Sequence, residues 1–501
     1  MKSHDLILVP TNALQPTEVS ELILQTSQYT SRASIEDLPA ELLLIIFKLV
    51  FMKSRAGTFR LWPPCSCTEP KVLKPCDCHE KPFKTTWVEK EDRRNPHIFP
   101  YAISLVCNQW RSLVKLVPIF WTRVIVFVDA NPTPLAELRE HLTLSGGLPL
   151  DLYILRREDT YDQLDPEEHI RCGAVIDIIR PHFRRCRIIS FNVVHNSSLP
   201  SVVHDFRGKA VHLTTLELKC RVDDGQHFVS RPNRLNGKAF SFPSLDVLDI
   251  DGRNFADACV YLPTWGKALA QPRELHVTIS NFRPLLNKVN HSCNVGNVAV
   301  ALSYIYELRC LSFINVEFPI VNADDWDVGE LDLEMTALNL TDVPQIFLDN
   351  FLEFIQSEIQ YLNIIHSSMP SRGMALHAAE VSLQDIPSQE DIPAFLKRWR
   401  GVVLDVSDCE GFDDRALEAL GVNHPASTAN ILYERREFII SDCPNVSPNA
   451  LKDLINARHK ANAEGQHDQC TLVVTGKCGL LSAADRAWFE ENLKFFRWKT
   501  K

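Results

Sequence analysis

The sequence predicts an α/β chain in which a small helical element precedes a solenoid, with one strand per repeat on a parallel face and helices outside. Three observations predict it. Short apolar pieces of strand character recur from about residue 121 onward, often with helix-like stretches between them. The last of them keep a fixed period, since Val406, Ile440 and Val474 lie 34 residues apart and Leu404-Asp-Val-Ser-Asp-Cys409 aligns with Phe438-Ile-Ile-Ser-Asp-Cys443. The segments that follow align as well, Ala416, Leu417 and Leu420 with Ala450, Leu451 and Leu454. Such a period marks repeated supersecondary units, none of which can bury its apolar side without a neighbour.

In chain order, residues 1–33 mix Thr, Gln and Ser with short apolar pieces and form an N-terminal tail, with one weak helix expected over 19–24. Ser34 and Asp37 are candidate helix caps, Pro39 suits a first helical position, and Glu41 complements the helix dipole. Residues 42–50 are nearly all apolar and continue that helix. Residues 51–97 carry repeated prolines, two Cys pairs and a charged stretch, which predicts an exposed insertion. Helical spacing returns with Ile103, Val106, Cys107, Trp110, Leu113, Val114 and Val117, and Pro118 stops the run, so a second amphipathic helix is expected over 101–117.

Strand-like pieces then follow at 124–128, 150–155, 187–193, 213–220, 245–250, 275–279, 308–314, 337–340, 361–364, 379–383, 402–406, 438–440 and 470–474. The expected organisation is a tail over 1–33, a helical domain over 34–122 with an inserted Cys- and Pro-rich loop at about 51–97, and a repeat domain over 123–501.

Composition bounds the function. The chain has 501 residues, 45% of them hydrophobic and 23% charged, which is ordinary for a globular protein with a sizeable core. Lys plus Arg number 53 against 63 Asp plus Glu, a net charge of −10. That balance lacks the basic footprint of a general nucleic-acid binder, although Arg184, Arg185 and Arg187 form a local patch. The densest apolar run, 42–47, is far shorter than the ~20 residues of a membrane span. With no secretory signal in the opening residues and 15 scattered cysteines, the expectation is a reduced, intracellular protein of cytoplasm or nucleus, with no nucleic-acid or membrane partner.

The strongest local signal is a pair of segments. The first is Leu38-Pro-Ala-Glu-Leu-Leu-Leu-Ile-Ile-Phe47, and the second runs from Val106 and Cys107 through Trp110 to Pro118 and Trp121. Together they resemble an F-box, whose pattern is Leu-Pro-x-Glu-Leu-Leu, a Phe near the end of the first helix, Val-Cys with a Trp three residues later, and a Trp shortly after a Pro. The departure from that pattern is about fifty residues between the halves, which loop-closure entropy tolerates if the helices still pack. The resemblance implies docking onto a Skp-type adaptor, and through it a cullin, with Leu38, Pro39, Leu42, Ile46, Val106, Cys107 and Trp110 as contacts. Independently, residues 42–47 are apolar around the whole helix, more than one buried face requires.

The later region resembles degenerate leucine-rich repeats of the cysteine-containing kind. Leu404 to Cys409 followed by Asp413 to Leu420 is the clearest copy, and Leu213-Thr-Thr-Leu-Glu-Leu218 and Leu308-Arg-Cys-Leu-Ser-Phe313 fit the same core. The family resemblance implies the substrate-receptor subunit of a Skp-cullin-F-box ubiquitin ligase, with an unknown target protein held by the repeats. The alternative is a repeat scaffold outside any ligase, its first helix capping the solenoid.

Cys409 and Cys443 read as small buried residues at strand-to-helix turns. Cys65, Cys67, Cys76 and Cys78, with His79 beside them, are the one zinc-like constellation, but Cys-x-Cys spacing suits one ion poorly. No phosphate loop, His-Glu-x-x-His or Gly-x-Ser-x-Gly motif occurs, so no catalytic residue and no cofactor are expected.

Overall fold

A computed structural model of the chain describes residues 35, 38–56, 99–157, 165–224, 240–262, 265–270, 274–284, 293–320, 331, 333–355, 357–371, 378–399, 401–422, 436–461 and 470–500. The chain divides into two compact units, Met1–Phe120 and Trp121–Lys501. The expected tail helix, the cap candidates Ser34 and Asp37, and the cysteines and His79 of the insertion lie outside the described residues.

The first unit is helical. Helix α1 spans Ala40–Ala56, directly after Pro39, whose carbonyl accepts from the amides of Leu42 and Leu43 at 3.0 and 3.1 Å. It runs past the expected stop near Val50 because Met52, Lys53, Arg55 and Ala56 are good helix formers and no proline interrupts them. The second expected helix is two pieces, α2 (Tyr101–Ser104) and α3 (Asn108–Lys115). The break falls at Cys107, whose backbone is extended at φ −157° and whose sulfur accepts from the Trp110 amide at 3.4 Å. A side-chain acceptor at that place starts a new helix rather than continuing the old one. Phe47 meets Trp110 edge-on at 5.0 Å, and Phe51, Phe99 and Phe120 form a triangle of rings 4.9 to 5.7 Å apart. Leu43, Phe47, Val114 and Phe120 are fully buried.

Among the described residues the second unit is one sheet of 14 strands, every strand parallel to its neighbours and every neighbour next in sequence. The strands are β1 Arg123–Phe127, β2 Leu150–Leu155, β3 Cys186–His195, β4 Thr215–Val222, β5 Val247–Asp251, β6 Leu275–Phe282 and β7 Leu308–Val316. They continue as β8 Met335–Thr341, β9 Ile359–Ile365, β10 Ala378–Gln384, β11 Val403–Ser407, β12 Arg436–Ser441, β13 Cys470–Gly476 and β14 Phe495–Thr500. Between them lie α4 (Leu135–Leu144), α5 (Glu168–Ile179), α6 (Gly252–Tyr261), α7 (Trp265–Leu269) and α8 (Val295–Ser303). The remaining helices are α9 (Gln345–Phe351), α10 (Ile392–Leu396), α11 (Asp414–Val422), α12 (Pro448–Ala461) and α13 (Ala483–Asn492). This is the α/β, solenoid-like architecture expected, with a parallel strand face and outer helices.

The register explains why the strands stack. Leu338, Leu362, Val381, Leu404, Phe438 and Leu472 stand side by side on consecutive strands, and Leu340, Ile364, Leu383, Val406, Ile440 and Val474 form a second row two residues on. Both rows are buried against the helices, and each such side chain contributes about 1.5–3 kcal/mol on burial. From β6 to β13 the residues between these rows are mostly part-exposed, as one helix-free face requires, whereas β2 is buried at every position.

A strand was missed at the end of the chain. β14 pairs with β13 from Thr471 opposite Phe495 to Gly476 opposite Thr500. Its outward positions hold Phe495, Arg497 and Lys499, so the apolar alternation is carried only by Phe496 and Trp498, too short a signal by itself.

The strands from β6 to β13 also leave the sheet in the same way. Asn281, Asn315, Asp342, His366, Asp385, Asp408 and Asp442 all adopt φ between 47° and 56°, each just past the outward residue that ends the inner-row alternation, and Gly476 takes φ 80° at the equivalent place. Asn, Asp and Gly tolerate this left-handed conformation best, which is why the repeats keep them there. Asp442 also accepts from the Lys477 amide at 3.0 Å, and a Cβ on Gly476 would meet that carboxylate at 2.3 Å.

Candidate docking site

The apolar circumference of α1 resolves into two faces. Leu43 and Phe47, four residues apart, are buried, while Leu42, Ile45, Leu49 and Met52 are 47%, 53%, 60% and 65% exposed. Spacings of three, four and three residues put those four on one stripe opposite the buried pair. The stripe is apolar throughout, whereas a solvated helix face carries charge.

The second segment adds to this. In the turn between α2 and α3, Leu105 and Val106 are exposed, and Leu116 and Ile119 are exposed beyond α3. The turn is held by Ser104, whose hydroxyl donates to the Tyr101 carbonyl at 2.8 Å, and by Arg111, whose Nε donates to the Ser104 carbonyl at 3.0 Å. Those bonds fix the backbone while the apolar side chains point away.

The seven residues carried over from the F-box resemblance divide accordingly. Pro39, Leu42 and Val106 are exposed, and Leu38 and Ile46 are half-buried. Cys107 serves as the helix cap, and Trp110 packs on Phe47 with its indole N–H buried and without a hydrogen-bond partner among the described residues. Sequence reasoning missed Ile45, Leu49, Met52, Leu105, Leu116 and Ile119, although the spacing of the first three with Leu42 was legible. Trp121, at the start of the second unit, is buried with its ring 5.0 Å from His141.

Ionisable groups buried elsewhere have structural partners. The carboxylate of Glu168, fully buried, accepts from Arg156 Nη1 at 3.1 Å, from the amides of Val194 and His195, and from Ser198 Oγ at 2.9 Å. Arg253 grips Asp223 through Nε at 2.7 Å and through Nη2. Asp251 caps α6 by accepting from the amides of Arg253 and Asn254, and burial pushes its carboxyl up to about 7. The Arg184–Arg187 patch is largely tied down, since Arg185 donates to the carbonyls of Gly146 and Leu148 and Arg187 Nε donates to Asp151 at 2.9 Å.

Cys409 and Cys443 are fully buried, with thiols donating to the carbonyls of Ser407 and Ser441 at 3.2 and 3.3 Å. Burial pushes them up to about 11 and about 12, so they are protonated at neutral pH and poor nucleophiles. No group of His, Cys, Asp or Glu suited to a metal ion occurs among the described residues, and no described helix is long and apolar enough to cross a membrane.

Neither protein-family models nor curated proteins give any match to this chain.

Proposed function

We propose that the chain is the target-receiving subunit of a Skp-cullin-F-box type ubiquitin ligase, in which α1, α2 and α3 dock on a Skp-type adaptor and the repeats hold a target protein. The observation that carries this reading is the exposed stripe Leu42, Ile45, Leu49 and Met52, on the helix whose sequence resembles an F-box. A stripe of that length fits a helix-in-groove contact, with a few apolar anchors supplying most of the affinity. Under this reading the subunit performs no chemical step. It raises the effective concentration of the target near the ubiquitin-loaded enzyme. The scaffold alternative needs α1 to bury its apolar circumference as a cap.

Co-expression with a Skp-type adaptor followed by size-exclusion chromatography tests the proposal. The wild type is expected to co-elute as a one-to-one complex, and a Leu42→Asp, Leu49→Asp double variant is expected to elute alone with an unchanged circular dichroism spectrum. A wild type that elutes without the adaptor, or a variant that still carries it, overturns the reading.

A further inference from the structure

The helix-free face of the sheet carries an ordered pattern of charge at its C-terminal end. One row places Glu380, Val403, Glu437, Thr471 and Phe495 on consecutive strands β10 to β14. The next row places Ser382, Asp405, Ile439, Val473 and Arg497 there, and a third ends in Lys499. All of these side chains are half-buried or exposed, and the three rows alternate along the strands with the two buried inner rows. Carboxylates therefore occupy β10 to β12, Ile439, Val473 and Phe495 make an apolar middle, and two cations stand on β14. On β7 to β9 the same rows hold Ser312, Asn339 and Asn363 among neutral neighbours, with no carboxylate and no cation. Further back the same rows hold Glu217 and Asp249 on β4 and β5, but there Lys219 pairs with Asp249, whereas the carboxylates of β10 to β12 and the cations of β14 are set apart by apolar residues. Asp405 is held above the usual carboxylate range by burial, with no cation acting on it.

We propose that the face from β10 to β14 takes an extended segment of the target that reads basic, then apolar, then acidic. This rests on the reading that the repeats hold the target. Strands lie about 4.8 Å apart, so four spacings cover about 19 Å, the reach of about six extended residues. Lys or Arg stems lie along Val403 and Ile439 while their heads reach Glu380, Asp405 and Glu437, as long cationic side chains do on apolar surface. The apolar residues cover Val473 and Phe495, and the acidic end meets Arg497 and Lys499. A segment of one sign throughout meets like charge at one end, which is the selective element.

The test uses the full chain and a fluorescein-labelled peptide reading Lys-Lys-Val-Val-Glu-Glu, with an all-acidic and an all-basic version as comparisons, followed by anisotropy. The mixed peptide is expected to bind best and to weaken when NaCl rises from about 0.05 to about 0.3 M. The triple variant Glu380→Gln, Asp405→Asn, Glu437→Gln is expected to lose about tenfold in affinity, as three half-buried surface pairs of about 0.5 kcal/mol each would give.

A control variant, Glu418→Gln, Glu490→Gln, Glu491→Gln, removes the same charge from exposed positions, one on α11 and two on α13, and is expected to bind like the wild type. No binding of the mixed peptide, equal binding of the acidic one, or an equal loss in the control overturns the proposal. Adaptor co-elution of the same triple variant is measured alongside. Its retention with peptide binding lost supports the proposal, and failure of the wild type to co-elute counts against the receptor reading alone.

Discussion

Helix α1 of the first unit and helices α11 and α12 of the second are all rich in Leu, Ile and Ala, yet they treat those residues differently. In α11 and α12 the apolar positions Ala416, Leu417, Leu420, Leu451, Leu454 and Ile455 are buried, and the remaining faces are largely polar. In α1 only Leu43 and Phe47 are fully buried, while Leu42, Ile45, Leu49, Val50 and Met52 are exposed. A repeat helix needs one apolar face because the sheet and its neighbours cover one face. An apolar residue beyond that face adds nothing to the fold, so its presence in α1 points to a second surface.

The strongest way to break this comparison is to truncate one leucine of each kind. Leu417→Ala is expected to destabilise the repeats by about 2–5 kcal/mol, as core truncations do, read by urea denaturation. Leu49→Ala is expected to stay within about 0.5 kcal/mol of the wild type in the same measurement. Equal losses would mean that the α1 stripe is core.

A second prediction sharpens the contrast inside the repeats, where charge rather than apolar surface is out of place. Burial raises Asp251 from 3.8 to about 7 and Asp257 to about 6, so across that interval the folded state binds protons more tightly than the unfolded chain. Stability contributed by these groups is therefore present at low pH, falls as pH rises from about 4 to 7, and is level above. Asp251→Asn is expected to flatten that slope whatever its absolute stability, in denaturation midpoints followed from acid to neutral pH. An unchanged slope would remove Asp251 as its source.

The smallest expected effect concerns the turn in the first unit. Cys107→Ser replaces a weak sulfur acceptor by a favoured cap and is expected to raise stability by no more than about 1 kcal/mol. Loss of α3 helicity in the variant would show that the thiol does something other than cap.

Much of the second unit was legible because its signal is local and repeated. The pieces expected at 402–406, 438–440 and 470–474 are β11, β12 and β13, and the ten before them correspond to β1 through β10. The candidate docking segment was legible in part. Leu42 and Val106 are exposed, but Cys107 and Trp110 are taken up by the helix start and the small aromatic core. Composition could not separate these roles, since Trp110 and Leu42 are equally apolar on the page. Nor did spacing show the left-handed exits at Asp385, Asp408 and Asp442, because Asp is equally common at exposed turns of every other kind.

The sequence by itself determined the fold class, the positions of thirteen strands and the excess of apolar residues in the first helix, because periodicity is a property of neighbouring residues along the chain. The tertiary structure alone decided that α1 exposes Leu42, Ile45, Leu49 and Met52 while burying Phe47, that Cys107 divides the second helix, and that Phe496 and Trp498 belong to a fourteenth strand. It also decided which charges share the helix-free face, since Glu380, Asp405 and Glu437 are far apart in sequence and meet only through strand register. Exposure and juxtaposition depend on what packs against a residue, and that partner comes from a distant part of the chain.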